Sequence, residues 1–541
     1  MIKIIYALIA LFSLLSCTPN NHKIEILHNF KTEQISTYTS KYLVINYSIS
    51  KGDYKTVNSI LNKNLHNDEL LKFKFFSNLV SGNFNNANKV SKLITTEEKQ
   101  NGLYLIPKYI LNIKNNKFEE NYKISSDDEI FFALKKLDTL INLWTHIKVN
   151  KHNFDLNKSL NNTSLHELLI LENFYDYKEL NVIADFIFNN HLLNQNDYLF
   201  LAGFYFRHGN LEKFNEIFKT RLSNQLDKKL IKKNFPLKND VFSQTPNLQV
   251  IMSSKLYNIA IEENKTGDKY KSLQKILLET SLFLCPEMDI VRYSLAEIYI
   301  SEKLYDISLE KLNTINPKSY YFLAASLKEL SINKLLRERN NYGKLLFQKI
   351  KTWPENENFL YELADYYKLK KEYKKSLKIY EKLINKFPNN ERLIFLYASN
   401  LDKVNKWNQA KNLFFELLKK DPKDTYTLNY ISYKLALRNE DLDYALNLIK
   451  KALTLDPENG YFLDTIGWVE FKRKNFKKSV FYLEKATSIL PNSDEVLDHL
   501  GDCYLMLNRK NEAIYEWKKA LKYVQNDVLR KKIQKKIKDN E

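Results

Sequence analysis

The chain has 541 residues, 44% hydrophobic and 27% charged, with only ten glycines and eleven prolines. That is too apolar for a disordered chain and too poor in glycine and proline for a fibrous or loop-built one, which leaves a folded and almost wholly helical protein. Lys and Arg number 83 against 64 Asp and Glu, a net charge of +19. Because the lysines come with abundant Asn, Ile and Tyr, as AT-rich coding produces, the excess is read as compositional drift and no nucleic-acid partner is expected.

In chain order, Met1, Ile2 and Lys3 make a short basic start, residues 4–15 an apolar run, and Leu14-Leu15-Ser16-Cys17 follows at once. Such a run is too short to cross a bilayer comfortably but suits a signal peptide over 1–16. Its end resembles a bacterial lipobox, in which a small residue precedes a cysteine that is lipidated and becomes the mature N-terminus. The resemblance implies lipid attachment at Cys17 and a polar tether over 17–30. No Asp stands beside Cys17, so the outer membrane is the implied anchor, with the body on its periplasmic face.

Over 31–218, apolar residues at helical spacing alternate with turn signals. Expected helix pairs are 42–50 with 57–61 around Gly52, 71–81 with 87–93 around Gly82, 165–174 with 180–188, and 198–206 with 214–218 around Gly209. These read as degenerate helical repeats. Residues 219–249 lose the periodicity and carry Lys228-Lys229, Lys232-Lys233, Pro236 and Pro246, so an irregular joint dividing two segments is expected there. Divergent repeats resume over 250–353, with Pro286 ahead of Leu295, Ala296, Tyr299, Ser308 and Leu312, then 321–330 with 342–350.

From 354 to 525 the pattern becomes strict. Prolines stand at 354, 388, 422, 457 and 491, at steps of 34, 34, 35 and 34 residues. Each is followed at fixed offsets by two small or polar residues and then two bulkier ones or an alanine, from Ala364, Ser376, Tyr380 and Leu383 to Gly501, Ala513, Trp517 and Ala520. A constant period of this length means one helix-turn-helix unit stacked repeatedly. Small residues let its two helices cross closely, and proline ends the second helix. Asp421, Asp456 and Asn385 read as caps, and the one extra residue of the third unit falls between Asn439 and Leu442, where a turn absorbs it. These units resemble the tetratricopeptide repeat. The implied fold is an all-α superhelical solenoid, ended over 526–541 by a capping helix and tail in which Val528, Leu529, Ile533 and Ile537 recur at helical spacing.

Chemistry is scarce. His166-Glu167 lacks the second histidine of a zinc-protease helix, and there is no glycine-rich phosphate loop and no cysteine pair at metal spacing. Cys285 and Cys503 are read as small buried hydrophobes, and His499 as a polar residue packed on a repeat helix. No catalytic residue, metal, cofactor or small-molecule substrate is expected.

By the same resemblance, the first helix of each pair lines a concave groove with its second, fifth, ninth and twelfth positions, which share a face. The fifth and ninth give the expected site: Tyr361, Asp365, Phe395, Asn429, Tyr433, Asp464, Trp468, Asp498 and Asp502. Ser399 joins them, and second positions add Arg392, Tyr426 and Tyr461. Lysines that clamp a terminal carboxylate in some family members are missing, so the expected groove is aromatic and acidic.

The stretch 428–520 further resembles one lineage of bacterial repeat lipoproteins, through Asn429-Tyr430 with Tyr433, Asp456-Pro457-Glu458-Asn459-Gly460-Tyr461, Asp464-Thr465-Ile466-Gly467-Trp468 and Asp498-His499-Leu500-Gly501-Asp502. The lineage includes an outer-membrane lipoprotein that binds a periplasmic carboxyl-terminal processing protease and helps it degrade peptidoglycan hydrolases. The implied function is a non-catalytic adaptor for periplasmic proteins, with outer-membrane protein assembly as the alternative.

Overall fold

The structure is a computed structural model that describes residues 54–61, 68–94, 102–117, 129–150, 163–222, 240–262, 268–336 and 339–541, with residues 45, 48, 226 and 231 singly. Among them are 26 α-helices, one 3-10 turn at Gly102–Leu105 and no strand. None of these helices is long and apolar enough to cross a membrane. Cys17, the tether, the Gly52 turn and the lysine pairs of the expected joint lie outside the described residues. The chain forms two compact units, Met1–Glu338 and Arg339–Glu541.

In the first unit, Tyr54–Ile60 (α1) precedes a hairpin of Asp68–Val80 (α2) and Phe84–Ser91 (α3), turned at left-handed Gly82. Ile106–Lys114 (α4), Glu129–Asn150 (α5), Leu165–Leu171 (α6) and Tyr177–Asn190 (α7) follow. Gln195–Arg207 (α8) and Leu211–Thr220 (α9) turn at Gly209, and Asp289–Ser301 (α12) and Tyr305–Asn313 (α13) turn at Lys303. Between these pairs lie Leu248–Glu262 (α10) and Asp268–Leu284 (α11), and Phe322–Leu335 (α14) is last.

Helix α10 is buried nearly all round, covering Leu248, Ile251, Met252, Leu256, Tyr257 and Ile259 along with Ser253, Ser254 and Asn258, which puts it at the centre. It crosses α11 at Ser253 and Ser281, where each hydroxyl donates to the other's carbonyl oxygen at 2.8 Å. The chain then closes on itself. Lys114 Nζ at the end of α4 donates to Leu284 O at 2.8 Å, and Gln249 Nε2 donates to Lys114 O at 2.8 Å.

The compact units divide between Glu338 and Arg339, and residues 240–247 of the expected joint are built into the first unit. Phe242 is buried edge-on against Phe200, with ring centres 4.8 Å apart. Its carbonyl oxygen accepts from Arg207 Nη1 at 2.6 Å, and Arg207 also grips buried Glu172 through Nε and Nη2 at 2.8 and 2.6 Å. Only glycine fits at position 203, because a Cβ there would lie 1.9 Å from that carbonyl oxygen. A basic, proline-bearing stretch can thus still supply a core aromatic.

The second unit begins with Arg339–Thr352 (α15). Five hairpins follow: Glu357–Leu369 and Tyr373–Lys386 (α16, α17), Glu391–Lys403 and Trp407–Lys420 (α18, α19), Thr425–Arg438 and Leu442–Leu455 (α20, α21), Gly460–Lys472 and Phe476–Ile489 (α22, α23), Asp494–Met506 and Lys510–Tyr523 (α24, α25). Asp527–Asn540 (α26) packs Ile533 and Ile537 onto the last of them, while Val528 stays exposed.

Each hairpin turns on one residue with φ near 60°: Lys371, Asn405, Asn439, Lys474 and Asn508. In the third, Asp441 is left-handed as well and takes up the extra residue. The small positions meet as the spacing predicts, and hydroxyls add a tie. Ser376 donates to Ala364 O at 2.8 Å, Ser432 to Ala445 O at 2.7 Å and Ser479 to Gly467 O at 2.8 Å.

Of the expected caps, Asp421 and Asp456 stand at the C-caps of α19 and α21, and Asn385 does not cap but lies exposed inside α17. Asn356, Asn390, Asp424 and Asn459 cap the first helices, each accepting from first-turn amides. Proline stops one helix, and the chain needs two more residues to turn before the next begins.

Candidate functional site

The first helices of the second unit's hairpins lie side by side, α20 against α22 and α22 against α24. Tyr433 on α20 donates its hydroxyl to Glu495 on α24, reaching past α22. A side chain can join next-but-one helices only where their shared face is concave. Along this face the expected site residues fall into two groups.

In the fourth and fifth hairpins the face is filled by the chain itself. His499 Nδ1 lies 2.9 Å from Asp464 Oδ1, and Trp468 is stacked between His499, ring centres 4.0 Å apart, and Phe471 at 4.8 Å. Lys536 of α26 donates to Asp498 at 2.6 Å and also bonds Asp502. Asp464, Trp468 and Asp498 are consequently only 7, 6 and 3% exposed. Burial works against charging His499, but Asp464, with Glu495 and Asp498, overrides it and holds the imidazole pKa above its ordinary value. For Asp502, burial and then Asp498 raise the carboxyl pKa, against the pull of Lys536.

In the first three hairpins the face is open. Tyr361, Asp365, Phe395, Asn429 and Tyr433 are half-buried, and Arg392 and Tyr426 are exposed at the rim, as is Tyr461 at the start of α22 in the fourth hairpin. The Arg392 guanidinium lies 5.6 Å from the Tyr361 ring centre. Phe395 packs edge-on to Phe414 and Tyr430 at 5.4 and 5.5 Å, and Asp365 accepts from Tyr380 at 3.1 Å. Asn429 Oδ1 is buried with no hydrogen-bond partner among the described residues.

Sequence reading missed Asp402, at the twelfth position of α18. This buried carboxylate accepts from Arg438 at 2.7 Å and Tyr430 at 3.1 Å and pairs with Lys434 at 3.0 Å, tying α20 to α18. The same face spacing could have found it. Elsewhere, Cys285 and Cys503 are both buried. The His166-Glu167 pair resolves into two structural roles: His166 Nε2 lies 3.2 Å from Ser254 Oγ in the core, and Glu167 completes a capping box with Ser164. No group of three metal-ligating side chains occurs among the described residues.

A model of the tetratricopeptide repeat matches residues 359–390, the span of the α16–α17 hairpin. A tetratricopeptide-repeat-containing protein of Pseudomonas aeruginosa is 27% identical over 119 residues, 22% of this chain and 20% of that protein. Another from Methanocaldococcus jannaschii is 31% identical over 119 residues, 21% of this chain and 20% of the relative. The chain thus spans about a fifth of the length of the curated relatives it matches. Among solved structures, a tetratricopeptide repeat protein from Parabacteroides merdae is similar at 15% identity and a TM-score of 0.41, covering 46% of this chain and 97% of that one.

Proposed function

We propose that this chain of tetratricopeptide-type hairpins is a non-catalytic adaptor lipoprotein, held to the periplasmic face of the outer membrane through Cys17, that brings a periplasmic protease together with cell-wall hydrolase substrates. Holding two proteins on one body raises their effective concentration, and tethering that body to a membrane narrows the search further. The compartment and partners rest on the lipobox-like Leu14-Leu15-Ser16-Cys17 and on the lineage resemblance over 428–520.

The observation that carries the binding role is the open inner face of the first three hairpins. There, exposed Arg392 and Tyr426 stand beside half-buried Tyr361, Phe395 and Asn429, and exposed Tyr461 follows at the start of α22 in the next hairpin. Aromatic rings and arginine provide large contact area at low entropic cost, the composition found where binding energy concentrates.

The test is capture of partners from envelope extract by the full acylated chain. A protease and a wall hydrolase should be recovered, and the Arg392→Ala, Tyr426→Ala, Tyr461→Ala variant should lose at least roughly tenfold of both at unchanged helicity. Recovery of β-barrel assembly components without protease would move the reading to outer-membrane assembly. Unchanged capture by the variant would move binding off this face.

A further inference from the structure

We infer that the edge of the second unit formed by its five hairpin turns is a docking surface for an anionic lipid bilayer. The unit has two edges of opposite character. Around the turns, over 368–375, 402–409, 436–444, 471–478 and 505–512, Lys and Arg number fifteen against six Asp and Glu. Around the prolines, over 352–358, 386–392, 420–426, 455–461 and 489–495, they number four against nine. Compositional drift would enrich both edges alike, so the asymmetry belongs to the fold.

The six acids on the turn edge are all engaged locally. Glu372 pairs with Lys375 at 2.5 Å, Asp443 with Arg473 at 2.9 Å and Glu512 with Arg509. Glu440 accepts from Trp407 Nε1 at 3.2 Å, Asp441 caps α21, and Asp402 is buried. Lys371, Lys374, Lys403, Lys406, Lys477 and Lys478 are by contrast exposed and make no ion pair among the described residues.

Several of these lysines stand where folding alone disfavours them. Lys374, Lys477 and Lys478 occupy the first turns of α17 and α23, where the helix dipole repels cations, whereas α16, α18 and α24 begin with the acids Glu357, Glu391 and Asp494. A local rule broken repeatedly on one edge points to a use outside the fold.

Aliphatic side chains choose the occupant. Leu369, Leu437 and Met506 are 75, 42 and 50% exposed at one repeat position, which Lys403 and Lys472 hold in the intervening hairpins. Aliphatics set among lysines suit the boundary between headgroups and acyl chains, which a soluble acidic peptide or nucleic acid does not offer. Between the first two turns a cleft of about 470 Å³, lined by Lys371, Lys374, Lys375 and Lys403 together with Glu372, Tyr373, Val404 and Asn405, has room for a phosphate headgroup.

The surface goes beyond the adaptor reading and can stand if partner capture fails. It is tested with the full chain carrying Cys17→Ser, so that no acyl anchor contributes, sedimented with vesicles of phosphatidylglycerol and phosphatidylethanolamine or of phosphatidylcholine alone. Binding to the anionic vesicles, weakening steeply with salt, is expected. Lys374→Glu, Lys375→Glu, Lys477→Glu and Lys478→Glu together should lower it by roughly tenfold or more without lowering the melting temperature. Leu369→Ser with Met506→Ser should lower it as well. Equal binding to neutral vesicles, an unaffected lysine variant, or preference for soluble polyglutamate or RNA over anionic vesicles would each overturn the assignment.

Discussion

In the first unit Lys114 holds the carbonyl of Leu284, 170 residues further on, and Asn173 holds that of Pro246, 73 residues on. In the second, ties such as Ser376 to Ala364 and Ser479 to Gly467 span 12 residues, and even Tyr433 to Glu495 spans only 62. The second unit is stabilised hairpin by hairpin through nearest neighbours, whereas the first depends on segments far apart in sequence meeting at α10 and α11. Damage should therefore stay local in one and spread in the other.

The largest expected effect tests that contrast directly. Gly203→Ala drives a Cβ against the Phe242 backbone and unseats the segment that Arg207 and Glu172 hold, so it should cost the first unit about 3–5 kcal/mol in urea unfolding. Gly467→Ala meets the Leu483 side chain 2.7 Å away and should cost about 1–2 kcal/mol. Equal costs, or two transitions shifted together, would break the comparison.

The units also bury histidines of opposite preference. Burial, then Lys255, push the His166 pKa down to about 3, so the folded first unit keeps it neutral. The unfolded chain takes up a proton below about pH 6.5, so the first unit should lose on the order of 3 kcal/mol as pH falls from there toward 3, and His166→Gln should flatten that slope. His499 is held above its ordinary pKa, so its contribution is complete below about pH 6.5 and is lost as pH rises through the raised value. His499→Gln should remove that alkaline loss from the second unit alone. Denaturant midpoints across pH check both signs.

The smallest effect concerns the turns. The first unit uses Gly82 and Gly209 where the second uses Lys371 and Lys474, all with φ between 61 and 78°. Lys371→Gly or Lys474→Gly should stabilise by about 0.5–1 kcal/mol, and Gly209→Ala should destabilise by a similar amount, read as opposite shifts in melting temperature.

How much could be read in the sequence follows the same divide. Wherever a contact recurs within one period, as between Ala364 and Ser376 or Gly467 and Ser479, spacing alone identified it. The meeting of α4 with α10 and α11 recurs nowhere, so no period announced it. Spacing also named the shared inner face but not its depth. Asp464 and Trp468 read as open because His499, which covers them, comes 35 residues after Asp464. Asp498 and Asp502 read as open because Lys536 comes from a helix outside the period. Phe242 was hidden by the lysines and prolines around it.

Lys536 has one more consequence. The fifth hairpin is the one that sets carboxylates at both inner positions, Asp498 and Asp502, where the others carry at most one. Here a single ammonium neutralises the pair of carboxylates on the last hairpin while Ile533 and Ile537 seal the seam beside it. Helix α26 thus takes, against α25, the place that the next hairpin's first helix takes against α21 and α23.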